Sequence, residues 1–533
     1  MSKTKILVAV LMIAVFVLSP EFAQVIGQQP RTSAQNQVDS GEVVRLLQVG
    51  APDEAGKATV TAYLTSFFAQ WRDPNNATEL GRYRKEIQTI VDNVSNPQGK
   101  EYLLGMLTNG LANSYVNNKN LYAACRYNAV LALGDLDTGQ ANGIPVPYPR
   151  ALEALYKIYD PLYDLSEDEQ VSKRVENEQD PAREAVRLGA LLGIRRHVVL
   201  GIANAQTRDG RIAPLLMKIA ADTPYIKDDS GTAEEDDDVV VLSITPNAVN
   251  TSEKQRTVEL HNWFRTNAIE TLGHLSGASQ ATQNEIVNTL LARIQDDAEL
   301  PSIRYLSAYS LSRFNKTIES SPNDLLKRTT QALLTLGLVV HDDGIMTMME
   351  EQSTTQTVGS MQTGSMGGAG GGMSEMGMGM GMGSGGTSSS AGQTQADQIN
   401  NSLIQIKDGF SSINACILGP DFRSGGLMNS DTVKNTPYHP ILLGLNKTIA
   451  ECVKFLDDGD PAAKQRVQAT SDLAMGMEGM GTGSGAQPTA TAKNQPKVSM
   501  KEIEDRLKIA KKNIEDLQNV LRSLDAGLMT ASQ

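Results

Sequence analysis

The chain has 533 residues, with 48 Lys and Arg against 61 Asp and Glu, a formal net charge of −13 and only three Cys. Such a length supports several sizeable cores, three Cys exclude a disulfide-dense scaffold, and the acidic balance opposes a nucleic-acid partner because no local basic stripe offsets it. Apolar content of 40% is ordinary for a folded chain, and aromatics at 5% lean towards helices rather than an all-β architecture.

At the N-terminus, Lys3 and Lys5 precede an unbroken apolar run from Ile6 to Leu18, which Ser19-Pro20 ends before a Gln-rich stretch. That order predicts a secretory signal peptide over 1–27, with 28–40 a flexible mature N-terminus. The apolar run falls short of the roughly 20 residues a bilayer-spanning helix needs, which makes a permanent anchor the weaker alternative. No Cys follows it to carry a lipid. The expected location is outside the cytoplasm, periplasmic or extracellular, with no membrane span in the mature chain.

From 41 to 341 helical patterns follow one another with short breaks and little strand-like alternation. The clear cases run Lys57 to Trp71, Leu80 to Val94, Glu101 to Val116, Leu121 to Leu136, Arg150 to Tyr159, Ala182 to Leu200, Arg211 to Ala220, Lys254 to Leu275, Asn284 to Ile294, Ser302 to Phe314 and Asn323 to Val340. Pro149, Pro181, Pro301 and Pro322 sit near helix starts, where a missing N–H costs nothing because the first helical donors are unpaired anyway.

Two of these stretches match closely. Arg126 to Leu136 reads RYNAVLALGDL and Arg265 to Leu275 reads RTNAIETLGHL, sharing R-x-N-A-x-x-x-L-G-x-L. Arg304 to Phe314, RYLSAYSLSRF, keeps the Arg and the apolar positions but has Ser312 for Gly, and RLGALLGIRRH from Arg187 is a looser copy. Arg265 and Arg304 are 39 residues apart, Arg187 and Arg265 twice that, whereas Arg126 and Arg187 are 61 apart and imply an insertion. In a two-helix unit of this length the small residues Ala129 and Ala268 admit a close neighbour, while Leu133, Leu136, Leu272 and Leu275 fill the shared core. These residues resemble the second helix of HEAT or armadillo-like repeats. The resemblance implies an α-solenoid over about 42–340 that binds other proteins along an extended surface and has no chemistry of its own.

An acidic loop, DDSGTAEEDDD over 228–238, precedes the apolar run Val239 to Ile244, which reads as one short strand. The carboxylates lack the spacing that aims Ca²⁺ ligands at one point, so the loop reads as solvated. From 351 to 395 the composition turns to Gly and Met, a flexible linker because Gly offers no side chain to bury and loses most entropy on ordering. A second such linker covers 470–497. The run MGMGMGM at Met376 to Met382 raises Cu(I) binding through thioethers, with no His or Cys beside it to fix a geometry.

Three apolar seams of heptad character remain. Ile399, Leu403, Ile406, Phe410, Ile413 and Ile417 form one, and Leu442, Leu445, Ile449, Cys452 and Leu456 another, within 396–457. The third runs along 498–528 through Met500, Ile503, Leu507, Ala510, Ile514, Leu517, Leu521, Leu524 and Leu528. Each must be covered, by an intrachain three-helix bundle or, for the last, by an intermolecular coiled coil. The e and g residues Glu504, Arg506, Lys511, Asn513, Gln518 and Val520 carry no consistent pairing code, which favours the intrachain solution.

Candidate chemistry is sparse. Cys416 and Cys452 are read as either a disulfide or two buried thiols, and Cys125 as a packed thiol. His197, His261, His274, His341 and His439 show no metal-ligand spacing and read as helix-surface residues, and Arg195-Arg196-His197 as a solvated helix end. No nucleophile elbow, phosphate loop or C-x-x-C is present. The expected fold class is therefore all-α: a HEAT-like solenoid, a Gly/Met-rich linker and a C-terminal helical bundle or coiled coil. The expected function is that of an exported, non-enzymatic scaffold or adaptor with unidentified protein partners. No catalytic, cofactor-binding or metal residue is assigned. Copper handling through the Met-rich segments, an enzyme of unrecognised type, and self-association through the 498–528 helix stand as alternatives.

Overall fold

A computed structural model describes residues 40–160, 180, 182–202, 204–222, 225–226, 240–241, 258–361, 395–420, 426–459 and 500–531. The signal peptide, the acidic loop 228–238, the second linker 470–497 and the Met376 to Met382 run lie outside them. The chain is mostly helical, and it divides into two compact units, 1–282 and 283–533.

In the first unit, α1 (Ser40–Gln48), α2 (Glu54–Ala69), α3 (Leu80–Asn93) and α4 (Pro97–Asn109) lead, α4 continuing as a wider turn through Gly110–Val116. The starts are set by side chains that satisfy the otherwise unpaired first donors: Asp53 accepts from the Gly56 N–H, and Asn96 from those of Gln98 and Gly99, with Pro97 in the first helical position. Tyr63, Phe67, Phe68, Trp71, Tyr83 and Tyr115 pack ring to ring beneath these helices.

Next come α5 (Ala123–Gly134), α6 (Pro149–Tyr159), α7 (Arg183–Leu200), α8 (Ala213–Ala221) and α9 (Val258–Gly273). The Gly110–Val116 segment packs on α5, α6 on α7 and α8 on α9, while α5, α7 and α9 lie side by side in that order. Helices α5 and α7 run parallel: a Cβ at Gly189 would lie 3.2 Å from Val130, and one at Gly134 only 2.8 Å from the Gly193 Cα. Ala129 and Ala268 are fully buried, as expected of close-packed positions, but the tightest approach falls at this glycine pair.

Between α5 and α6 a hairpin of β1 (Asp137–Ala141) and β2 (Ile144–Pro147) turns on Asn142 and Gly143, both at positive φ, the geometry a two-residue hairpin loop demands. Pro145 and Pro147 remove N–H donors from the outer edge of β2. A second ribbon pairs β3 (Tyr225–Ile226) with β4 (Val240–Val241), so the apolar run after the acidic loop finds its partner just before that loop.

The second unit contains α10 (Gln280–Gln295), which the unit boundary cuts near its start, α11 (Pro301–Leu311), α12 (Asn315–Glu319), α13 (Lys327–Met361), α14 (Gln395–Leu418), α15 (His439–Gly459) and α16 (Met500–Ala531). Gly337 of α13 faces Ile514 of α16, Gly344 faces Ile406 of α14, Gly409 of α14 faces Val340, and Gly444 of α15 faces Leu517 of α16. With Arg506 on Glu451, these contacts fix α13 antiparallel to α14 and α16, and α15 antiparallel to α16. The α14–α15 contact closes a four-helix ring.

Two expectations are corrected here. Three seams do not close on one another alone; α13, placed at the end of the repeat array by sequence, supplies a fourth face. The linker does not begin at 351 either: 351–358 contain no Gly, and α13 runs to Met361. The ring also settles the two cysteines, which are free and buried. Cys452 lies level with Ile406, and Cys416 stands ten residues further along α14, about 15 Å away and beyond the reach of a disulfide. Burial pushes both thiols up to about 12. Alkylation of the denatured, unreduced chain is expected to label three thiols; a count of one would mean that Cys416 and Cys452 are bridged.

Candidate functional site: buried arginines at the helix ends

The arginines that open the repeated motif are all buried or nearly so, and each reaches the end of the preceding helix. Arg126 Nε donates to the Val116 carbonyl at 2.8 Å, and Arg304 Nε to the Ile294 carbonyl at 2.8 Å. Arg265, fully buried, donates to the Ala220 carbonyl at 3.4 Å and to Asn262 Oδ1 at 3.4 Å. The Arg187 guanidinium sits 4.7 Å over the ring of Tyr159, the last residue of α6. Helix C-termini leave carbonyls unpaired and carry partial negative charge, and a guanidinium answers both. Arg126 and Arg304 bridge connections of ten residues, whereas Arg265 spans 45. Within their own helices, the motif asparagine Asn128 donates to the Ala124 carbonyl and Asn267 to the Trp263 carbonyl.

Carboxylates complete the arrangement. Asp180 takes both terminal nitrogens of Arg126 at 2.6 and 2.7 Å in a buried fork, and also accepts from the Ala182 N–H ahead of α7. Burial alone would raise the Asp180 carboxyl, but the hydrogen bonds and charge of Arg126 outweigh it and hold it below the ordinary carboxylate range. Arg304 lies 3.6 Å from Asp297 at the surface.

The Arg195-Arg196-His197 cluster is not a solvated helix end. Arg195 binds Asn267 and Glu270 of α9 at 2.8 and 2.6 Å, while Arg196 forks onto Asp137 at 2.9 and 2.6 Å and also donates to the Gly134 carbonyl. Helix α7 is thereby tied to the elements on both sides of it. The reading of all five histidines as surface residues is overturned too. His197, His261 and His341 are buried, His274 and His439 half-buried. His261 donates to the Asp222 carbonyl at 2.7 Å, and His341 Nδ1 meets Asp342 Oδ1 at 2.7 Å.

His197, 2% exposed with Nε2 buried and unpartnered, is held neutral, its ring pushed down to about 3 by burial first and by the Arg196 charge second. Because the folded value lies below the unfolded value near 6.5, this site contributes full stability above pH ~6.5 and loses it as the pH falls towards 3. His197→Leu is expected to cost little at pH 7. Relative to the natural chain it should gain about 2–3 kcal/mol by pH 4.5, seen in denaturant titrations across that range. Parallel pH profiles for the two chains would contradict this.

Cys125 is fully buried, its thiol pushed up to about 12 by burial. Among the described residues no group of three or more His, Cys, Asp or Glu side chains is placed to hold a metal ion, and no helix is long and apolar enough to cross a membrane. Apolar side chains left in solvent include Ile144 and Val146 on β2, Val199 on α7, Leu443 on α15, and Ile509 and Val520 on α16. No protein-family model, curated protein or solved structure matches the chain.

Proposed function

We propose that the chain is an exported, non-enzymatic scaffold or adaptor, built as a HEAT-like α-solenoid joined through a Gly/Met-rich linker to a helical bundle, whose partners are other proteins. One observation carries this reading. Four motif arginines, in four successive helix pairs, are spent on the ends of the preceding helices, so the polar side chains of the repeat hold shape. Arrays built that way offer extended surfaces, and their usefulness lies in what they hold together. The test is affinity capture with the tagged full-length chain from the exported fraction of its own cells, paired with N-terminal sequencing of the mature product. The expected result is a start near residue 28 and a stoichiometric protein partner. An uncleaved N-terminus would remove export, and recovery of the bait alone would remove the adaptor role.

A second reading, copper handling, draws support from topology. Helices α13 and α15 end, and α14 and α16 begin, on one side of the four-helix ring, so both Met-bearing connections depart from and return to the same end. Thioethers suit Cu(I). Replacing Met376, Met378, Met380 and Met382 with Leu is expected to abolish Cu(I) uptake under anaerobic titration if this reading holds; unchanged uptake would reject it.

A further inference from the structure

Helix α16 buries one face and carries a second stripe that nothing among the described residues covers. Ile503, Leu507, Ala510, Ile514 and Leu521 face α13 and α15. On the outer flank, Ile509 is 52% and Val520 50% exposed, eleven residues apart and so within about 20° of one another on the helix. Between them lie Lys512 and Asp516, both exposed, and half-buried Asn513. Neither charge forms an ion pair among the described residues, although the neighbouring Arg506, Lys508 and Lys511 all do, with Glu451, Glu504 and Asp342. Two half-exposed branched aliphatics flanking two unused opposite charges make an unpartnered helix face.

The order of those residues specifies an occupant. We propose that this stripe is the contact between two copies of the chain, α16 against α16 in antiparallel orientation. About a two-fold axis between positions 514 and 515, Ile509 of one copy meets Val520 of the other, twice by symmetry. Lys512 then comes beside Asp516 of the other copy, and Asp516 beside its Lys512, while Asn513 lies between them. A parallel pairing sets Lys512 against Lys512 and Asp516 against Asp516, so charge selects the antiparallel register. The arrangement is isologous and closes after two copies, leaving no free stripe to propagate a filament. It differs from a coiled coil through the heptad seam, since Ile503, Leu507, Ala510, Ile514 and Leu521 of that seam are already buried inside the second unit. The contact is short, about three helical turns, which places it among weak, concentration-dependent dimers rather than obligate ones.

The test is sedimentation equilibrium of the full-length mature chain over a concentration series, with circular dichroism to verify folding of each variant. The natural chain is expected to pass from monomer to dimer. Lys512→Asp and Asp516→Lys, each of which puts like charges together across the axis, should each weaken association roughly tenfold. The double exchange should restore it, which no effect on folding alone would produce. Val520→Ser should weaken it without changing helicity. A natural chain that stays monomeric up to its solubility limit would overturn the proposal, and so would a double exchange no tighter than the single variants.

Discussion

Changing Asp180 to Ala is expected to destabilise the first unit by about 3–5 kcal/mol, because it strands a buried guanidinium without its counter-charge. Among the described residues Arg126 has no other carboxylate in contact: its Nε is committed to Val116, and both terminal nitrogens point at Asp180. Taking 2–4 °C per kcal/mol for a unit of this size, the melting temperature should fall by roughly 10 °C. Asp180→Asn separates the two roles of the residue, since an amide still accepts from the Ala182 N–H but carries no charge. It should fall between the natural chain and the alanine variant. Replacing Arg126 and Asp180 together by Met and Leu is expected to recover most of the loss, as apolar substitutes for buried pairs commonly do. Chemical denaturation checks all three, and a loss below about 1 kcal/mol for Asp180→Ala would show that the fork contributes little.

Gly134→Val should be nearly as damaging, at about 3 kcal/mol, for a different reason. The added Cβ arrives 2.8 Å from the Gly193 Cα, which is backbone and has no rotamer to turn away, so α5 and α7 must separate and the interface between them loosen. Gly105, on the half-buried side of α4 with nothing within 4 Å of where a methyl group would stand, is the control. There Gly105→Ala is expected to stabilise by about 0.5–1 kcal/mol through helix propensity alone. Opposite signs at two helical glycines separate close approach from intrinsic preference. If both positions shift stability in the same direction, the interhelical contact does not govern it.

Much of the helical architecture is legible in the sequence, because an apolar stripe and a cap are local signals. The R-x-N-A pattern is visible too, and Pro149 and Pro301 mark true helix starts. The purpose of the motif arginine is not visible, since the carbonyl it needs is ten residues back in one unit and 45 back in another. Arg195 and Arg196 mislead for the same reason: their partners Glu270 and Asp137 are 75 and 59 residues away. The β1–β2 hairpin is readable in principle from Asn142-Gly143, the dipeptide that best tolerates two positive φ values, but the Pro-containing flank Ile144–Pro147 disguises it. The fourth face of the ring is hidden because α13 begins as a plausible repeat helix. Only Gly337 and Gly344, notched for Ile514 and Ile406, betray its other partners.

The indifference of the arginine anchor to the length of chain it bridges has an evolutionary corollary. Growing a connection from ten residues to 45 adds only about 1.3 kcal/mol of closure entropy. The passage from α8 to α9 is therefore a place where new sequence can be acquired, tried and discarded without rewriting the framework. An engineer seeking to graft a reporter or a foreign epitope would begin there.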